Sequence, residues 1–317
     1  MKKLILIFTF LSGVAVLKAQ SVDQGKQQLY YERSQSAQNT FQQVLAKNPS
    51  EAEAWYGLAK AYLLQNKAAQ AMDALSKAPE EVKGEPFIKV AMGAVLLHQV
   101  KSQEADPYFS QALQETKEKN ADILAAVAEA QITAKAGDGN RAVELLNKAI
   151  KRDKHNPALY VSLGDAYLKM HNGSEAYKAY QKAIEEDKNY AAAYHQIGDI
   201  FLSQKNKELY LENFNKAIAA DPNYAPSIYR LYAYEFYHDP AKALTYYKDY
   251  LSKSDPSANA DYDLADLYYI SKQYNDAIQK AENILNKEGD SAQSRLYKLI
   301  AYSYAAQKDT AKALASV

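Results

Sequence analysis

The sequence predicts an all-α chain assembled from repeated helix pairs, and three observations carry that prediction. Of 317 residues only 11 are Gly and 9 are Pro, about 3% each where an ordinary globular chain has roughly 7% and 5%. Turns are therefore sparse and long helices favoured. Next, alanines recur with a large side chain four residues later: Ala37…Phe41, Ala71…Leu75, Ala105…Phe109, Ala142…Leu146 and Ala176…Tyr180. The series runs on through Tyr210…Phe214, Ala243…Tyr247, Ala277…Ala281 and Ala313…Val317, and five of its eight steps are 34 residues. Finally, twelve residues before most of these alanines stands a small residue (Gly25, Ala59, Gly93, Gly164, Gly198, Ala265, Ala301), commonly followed three positions on by a bulky one such as Tyr62, Tyr167 or Phe201. A fixed period of this size marks a stacked repeat architecture rather than a single closed core.

The chain opens on Met1-Lys2-Lys3, a 14-residue apolar run from Leu4 to Leu17, and Lys18-Ala19-Gln20. A membrane-spanning helix needs about 20 apolar residues, so this run is too short. A basic start, a short apolar core and a small residue before a polar stretch read as a cleavable secretory signal over 1–19. The dilysine start and "KAQS" resemble the signal of a two-membrane bacterium, which implies export to the periplasm or outer envelope. After cleavage, 35 basic residues face 38 acidic ones, and no later apolar run approaches membrane-spanning length.

From residue 20 onward the period divides the chain at about 20–51, 52–85, 86–119, 120–156, 157–190, 191–224, 225–257, 258–293 and an incomplete 294–317. The clearest units read Trp55-x2-Leu58-Ala59-x2-Tyr62…Ala71-x3-Leu75 and Tyr160-x2-Leu163-Gly164-x2-Tyr167…Ala176-x3-Tyr180, with Pro49 and Pro222 closing repeats. This resembles the tetratricopeptide repeat (TPR), a 34-residue helix–turn–helix unit. The resemblance implies a right-handed α-solenoid of eight to nine repeats in which each pair leans on the next. Within a pair, the small residue of the first helix (A) is expected to face the opening alanine of the second (B), letting the helices approach closely.

Departures from the period carry expectations of their own. The repeat at 120–156 is three residues long, which places a longer turn at Gly137-Asp138-Gly139. Tyr210 and Tyr232 stand where small residues belong, so the pairs at 191–224 and 225–257 should be spread or shifted. The first repeat has little room for helix A, and Val317 stops the last helix B after one turn. Without a polar terminal cap, the chain reads as the N-terminal part of a longer protein.

Composition and motifs exclude most chemistry. With no Cys, disulfides, thiolate zinc sites and cysteine nucleophiles are absent. The balance of 38 basic and 38 acidic residues gives no footprint for nucleic acid. No phosphate-binding loop, dinucleotide fingerprint, H-E-x-x-H or G-x-S-x-G occurs. His195 and Asp199 share a helix face at i, i+4 but are too few for zinc. Asp263 and Asp266 beside Tyr262 read as solvated charge, not a glycosidase pair. No cofactor, metal or catalytic residue is expected.

What remains is the inner face of the A helices, which in the family lines a concave groove. Tyr56, Lys60, Asp165, His195, Asp199, Tyr229, Arg230, Phe236, Tyr262, Asp266 and Tyr269 fall there. Tyr and Arg dominate protein interfaces because they bury large, stiff area and keep a polar tip. The positions that bind a chaperone's C-terminal carboxylate in one TPR subclass here carry Tyr56/Lys60, Val161/Asp165, His195/Asp199 and Tyr229/Ala233, and the acids Asp165 and Asp199 would repel a carboxylate, which disfavours that ligand. The expectation is a non-enzymatic exported scaffold binding a protein or peptide in the groove. The alternative is a glycan or peptidoglycan binder within a cell-wall or outer-membrane complex, using Tyr262, Asp263 and Asp266 as a stacking platform.

Overall fold

The computed structural model describes residues 21–289 and 294–316; the signal sequence read over 1–19 lies outside them. Eighteen α-helices fill these residues, and no strand occurs among them. They alternate as A and B. The first four pairs are α1 Val22–Tyr30 with α2 Ser34–Lys47, α3 Ala52–Leu64 with α4 Ala68–Ser76, α5 Pro86–His98 with α6 Ser102–Glu115, and α7 Ala121–Thr133 with α8 Gly139–Arg152. Next come α9 Pro157–Lys169 with α10 Gly173–Glu186 and α11 Ala191–Ser203 with α12 Lys207–Ala220. The last are α13 Ala225–Glu235 with α14 Pro240–Lys253, α15 Ala260–Ile270 with α16 Tyr274–Glu288, and α17 Arg295–Ala306 with α18 Thr310–Ala315.

Local chemistry sets these boundaries. Asp138, Asn172, Asn206, Asp239 and Asp309 cap B helices by accepting from backbone N–H groups of the first turn, satisfying donors that would otherwise be orphaned. Seven of the nine A helices end in a left-handed residue: Glu32, Asn66, Val100, His171, Lys205, Lys272 and Lys308 all have φ between 58° and 65°. At Asn66 its own N–H reaches Leu63 O at 2.9 Å while Lys67 N reaches Tyr62 O at 2.9 Å, the paired bonds that reverse a chain after a helix. The 34-residue period therefore appears as a recurring turn as well as a recurring core.

Where helix A carries Gly25, Gly93, Gly164 or Gly198, the atoms nearest to an added Cβ belong to the aromatic ring sixteen residues on, Phe41, Phe109, Tyr180 or Phe214. A Cβ on Gly93, Gly164 or Gly198 would lie 2.7, 2.2 or 2.5 Å from the Cε1 of Phe109, Tyr180 or Phe214. Each ring thus fills the space beside a backbone that has no side chain to hold it off. The alanines Ala37, Ala71, Ala105, Ala142, Ala176, Ala243 and Ala277 are completely buried alongside.

The irregular repeats resolve locally. Two of the three extra residues near 120–156 lie in the turn 134–138 and one in the link 116–120. Gly137 packs so near Gln131 that a Cβ would sit 2.0 Å from its carbonyl oxygen, and Gln131 Oε1 accepts from Asp138 N at 2.8 Å. Tyr210 does not spread its pair: Gly198 still meets Phe214, and the half-buried Tyr210 ring sits 6.0 Å from that of Phe214. Tyr232 likewise stays against Tyr247, with ring centroids 4.7 Å apart. Successive A helices pack along the row from α1 to α11, and α13 stays joined to α11 through side chains, Ser227 to His195 at 2.9 Å and Arg230 to Asp199 at 2.9 Å. A-to-A contact without matching B-to-B contact puts the A helices on the inner side of the curve.

Candidate partner-binding groove

The inner face is not one continuous surface. In its N-terminal part, Lys60 forms an ion pair with Glu129 of α7, and Tyr56 donates its hydroxyl to the same carboxylate at 3.1 Å. These contacts reach from α3 past α5, whose Ala91 and Ala94 leave room for them. Glu129 is the ninth residue of α7, as Lys60 is of α3 and Asp165 of α9, and the three extra residues of this repeat hide that register in the sequence. Tyr56 packs on Phe87 with centroids 5.6 Å apart, and burial pushes its phenol well above the usual range. This stretch of groove is closed over itself.

The second region lies where α11 and α13 meet the α1–α2 turn. Here α11 supplies His195, Gln196 and Asp199, α13 supplies Tyr229 and Arg230, and the α1–α2 turn supplies Tyr31 and Glu32. Together with Tyr250, Ser254 and Asp255 they wall a cleft of about 470 Å³. Arg230 Nη2 donates to Asp199 Oδ2 at 2.9 Å, and its Nε lies 2.9 Å from Oδ1. Tyr229 is 42% exposed and stands 5.1 Å from the Tyr250 ring. Four of the residues expected on the groove (His195, Asp199, Tyr229, Arg230) are thus brought together. Tyr31, Glu32, Tyr250 and Asp255 come from helix ends and loops outside the A-helix pattern, so no periodicity pointed to them.

His195 does not present itself to a partner. It is buried between Phe214 and Tyr224, whose ring centroids each lie 5.5 Å away. Burial lowers its imidazole to about 4, a shift that the Asp199 charge opposes and the Arg230 charge reinforces. Its Nδ1 is 2.9 Å from Ser227 Oγ and its Nε2 3.5 Å from Asp199. Ser227, His195 and Asp199 are the residue types of a hydrolytic triad, but Ser227 is completely buried and no carbonyl can reach its hydroxyl. Arg230 on Asp199 likewise puts a guanidinium where a metal ion would have to sit.

The other expected residues lie elsewhere. Asp165 is folded into its own repeat, accepting from Tyr180 Oη at 2.7 Å. Tyr262 is 4% exposed, a correction to its place on the groove. Its hydroxyl donates to Glu288, and the Arg295 guanidinium lies 5.1 Å above its ring. Asp266 pairs with Arg295 at 3.2 Å, and Asp263 accepts from Tyr247 Oη at 3.0 Å. The sugar-stacking platform read from Tyr262, Asp263 and Asp266 is therefore already occupied by the protein's own side chains. Phe236 packs half-buried against Tyr232 and Tyr237, and Tyr269 against Tyr274 at 5.8 Å.

No described helix is long and apolar enough to cross a membrane. No curated protein matches the sequence. Among solved structures, the chain is similar to the human IFIT1 dimer with PPP-AAAA, at 15% identity, covering 93% of this chain and 70% of that one with a TM-score of 0.49. It is also similar to the APC/C hetero-tetramer Cut9-Hcn1, at 14% identity, covering 93% of this chain and 58% of that one with a TM-score of 0.52; at that identity the likeness concerns the fold. Tetratricopeptide repeat family models match residues 22–86, 133–198 and 191–224. With the helix pairs, the recurring turns and the ring-on-glycine core, these matches identify the chain as a tetratricopeptide repeat protein.

Proposed function

We propose that this protein is a non-enzymatic, exported scaffold that binds an extended segment of a partner protein in the cleft that α11 and α13 form with the α1–α2 turn. The observation that carries the reading is the lining of this cleft, where Tyr229 stands exposed beside Gln196 and the Arg230–Asp199 pair. An exposed ring flanked by hydrogen-bonding groups supplies both apolar area and orientation to an extended chain. The remaining inner face is closed by the Lys60–Glu129 and Asp266–Arg295 pairs, which favours the cleft as the point of contact. Export to the periplasm or outer envelope rests on residues 1–19, and an intact mass beginning at Gln20 after expression in a two-membrane host is the result expected.

The test of binding is a displayed random-peptide library panned on the whole protein, with selected peptides measured by calorimetry. A Tyr229→Ala/Gln196→Ala variant should weaken them at least tenfold while the thermal melt stays within a few degrees. Equal affinity for the variant would place the binding surface elsewhere.

A further inference from the structure

The first helix pair touches the chain far from its own neighbours. Tyr31 donates its hydroxyl to Asp221 at 2.9 Å, and Tyr30 Oη accepts from Ala192 N at 3.3 Å. The Tyr30 ring stands 5.4 Å from Tyr190 and 5.3 Å from Tyr224. Asp255 accepts from Gln35 N at 2.6 Å, Ser36 N at 3.1 Å and Ser36 Oγ at 2.5 Å, so it caps the start of α2 from 220 positions away. The other contacts of a solenoid run between neighbours; these cross the groove and bring its two walls together.

Two departures from the repeat fit each other here. The N-cap residue of α2, Arg33, gives no side-chain cap. The link 254–259 that carries Asp255 is six residues long, against four between α8 and α9, α10 and α11, or α12 and α13. Yet the contact is imperfectly satisfied: Gln28 Oε1 and Arg33 Nε on the first pair are buried without a hydrogen-bond partner, which a permanent core avoids. The first pair also lies at the end of the array, where repeats open most readily.

We propose that the first helix pair is a latch. Tyr30, Tyr31 and the Asp255 cap hold it across the groove, and its release opens the cleft; this goes beyond any reading of the partner and stands without one. The chain has no cysteine, so Asn39→Cys/Ala258→Cys carries two spin labels cleanly on exposed sites. Pulsed dipolar spectroscopy should give a short separation with a minor longer one. Adding Tyr30→Ala/Asp255→Ala should move most molecules to the longer separation. A further Arg33→Asn gives α2 a cap like the one Asn172 gives α10 and should leave the chain open. A single short separation in every variant would overturn the latch. So would its return with Arg33→Asn, since Asp255 would then only stabilise α2.

Discussion

Tyr180 donates its phenol to Asp165 at 2.7 Å between the two helices of the fifth repeat. Burial raises the Asp165 carboxyl from 3.8 to about 6, although the Tyr180 hydrogen bond opposes the shift. The folded state therefore holds a proton that the unfolded chain has released. Between pH 4 and 6 this group makes stability fall as pH rises. His195, lowered to about 4 by burial, makes stability rise over an overlapping window, so the wild-type curve alone cannot separate them. The difference between wild type and Asp165→Asn can. Because Asn still accepts from Tyr180, the variant should be more stable at pH 7.5 by on the order of 1–2 kcal/mol, and the gain should vanish near pH 4. Urea denaturation at both pH values measures it.

The glycines that receive aromatic rings should respond oppositely to those that do not. At Gly164 an added Cβ would meet the fully buried Tyr180 ring at 2.2 Å. Overpacking of this kind costs about 1–3 kcal/mol, and the better helix propensity of Ala returns about 1. Gly164→Ala should therefore lower stability, by up to about 2 kcal/mol. Gly173, the first residue of α10, has nothing within 4 Å of a Cβ, so Gly173→Ala should raise stability by about 0.5 kcal/mol. Thermal melts of the two variants side by side check both signs.

Val100 closes α5 at φ 63° and is 67% exposed. A β-branched residue is strained in the left-handed region by roughly 1–2 kcal/mol, and this one has little burial to offset it. Val100→Gly should stabilise the protein by about 1 kcal/mol, raising the melting temperature without altering helix content by circular dichroism.

Much of this fold is legible in the sequence because each repeat states it again. The pairing of Gly164 with Tyr180 or Gly198 with Phe214 is spaced identically each time, so weak single motifs add up. The groove is less legible because its residues are defined by what covers them. Tyr229 and Tyr262 occupy the same position in successive repeats, yet one is 42% exposed and the other 4%. Arg295 lies over Tyr262 from the next A helix, whereas the next A helix after Tyr229 begins only at Ala260, after the lengthened link. Glu32 and Asp255 reach the cleft from turns, 160 or more positions from some of the residues they join, and no local pattern encodes that meeting.

Amide hydrogen exchange of the whole protein, with and without a peptide selected on it, maps the binding surface most directly. Slowed exchange should fall on 191–200 and 225–236, with α12 at 207–220 unchanged. Protection confined to the B helices, or to repeats before residue 120, would contradict binding in this cleft.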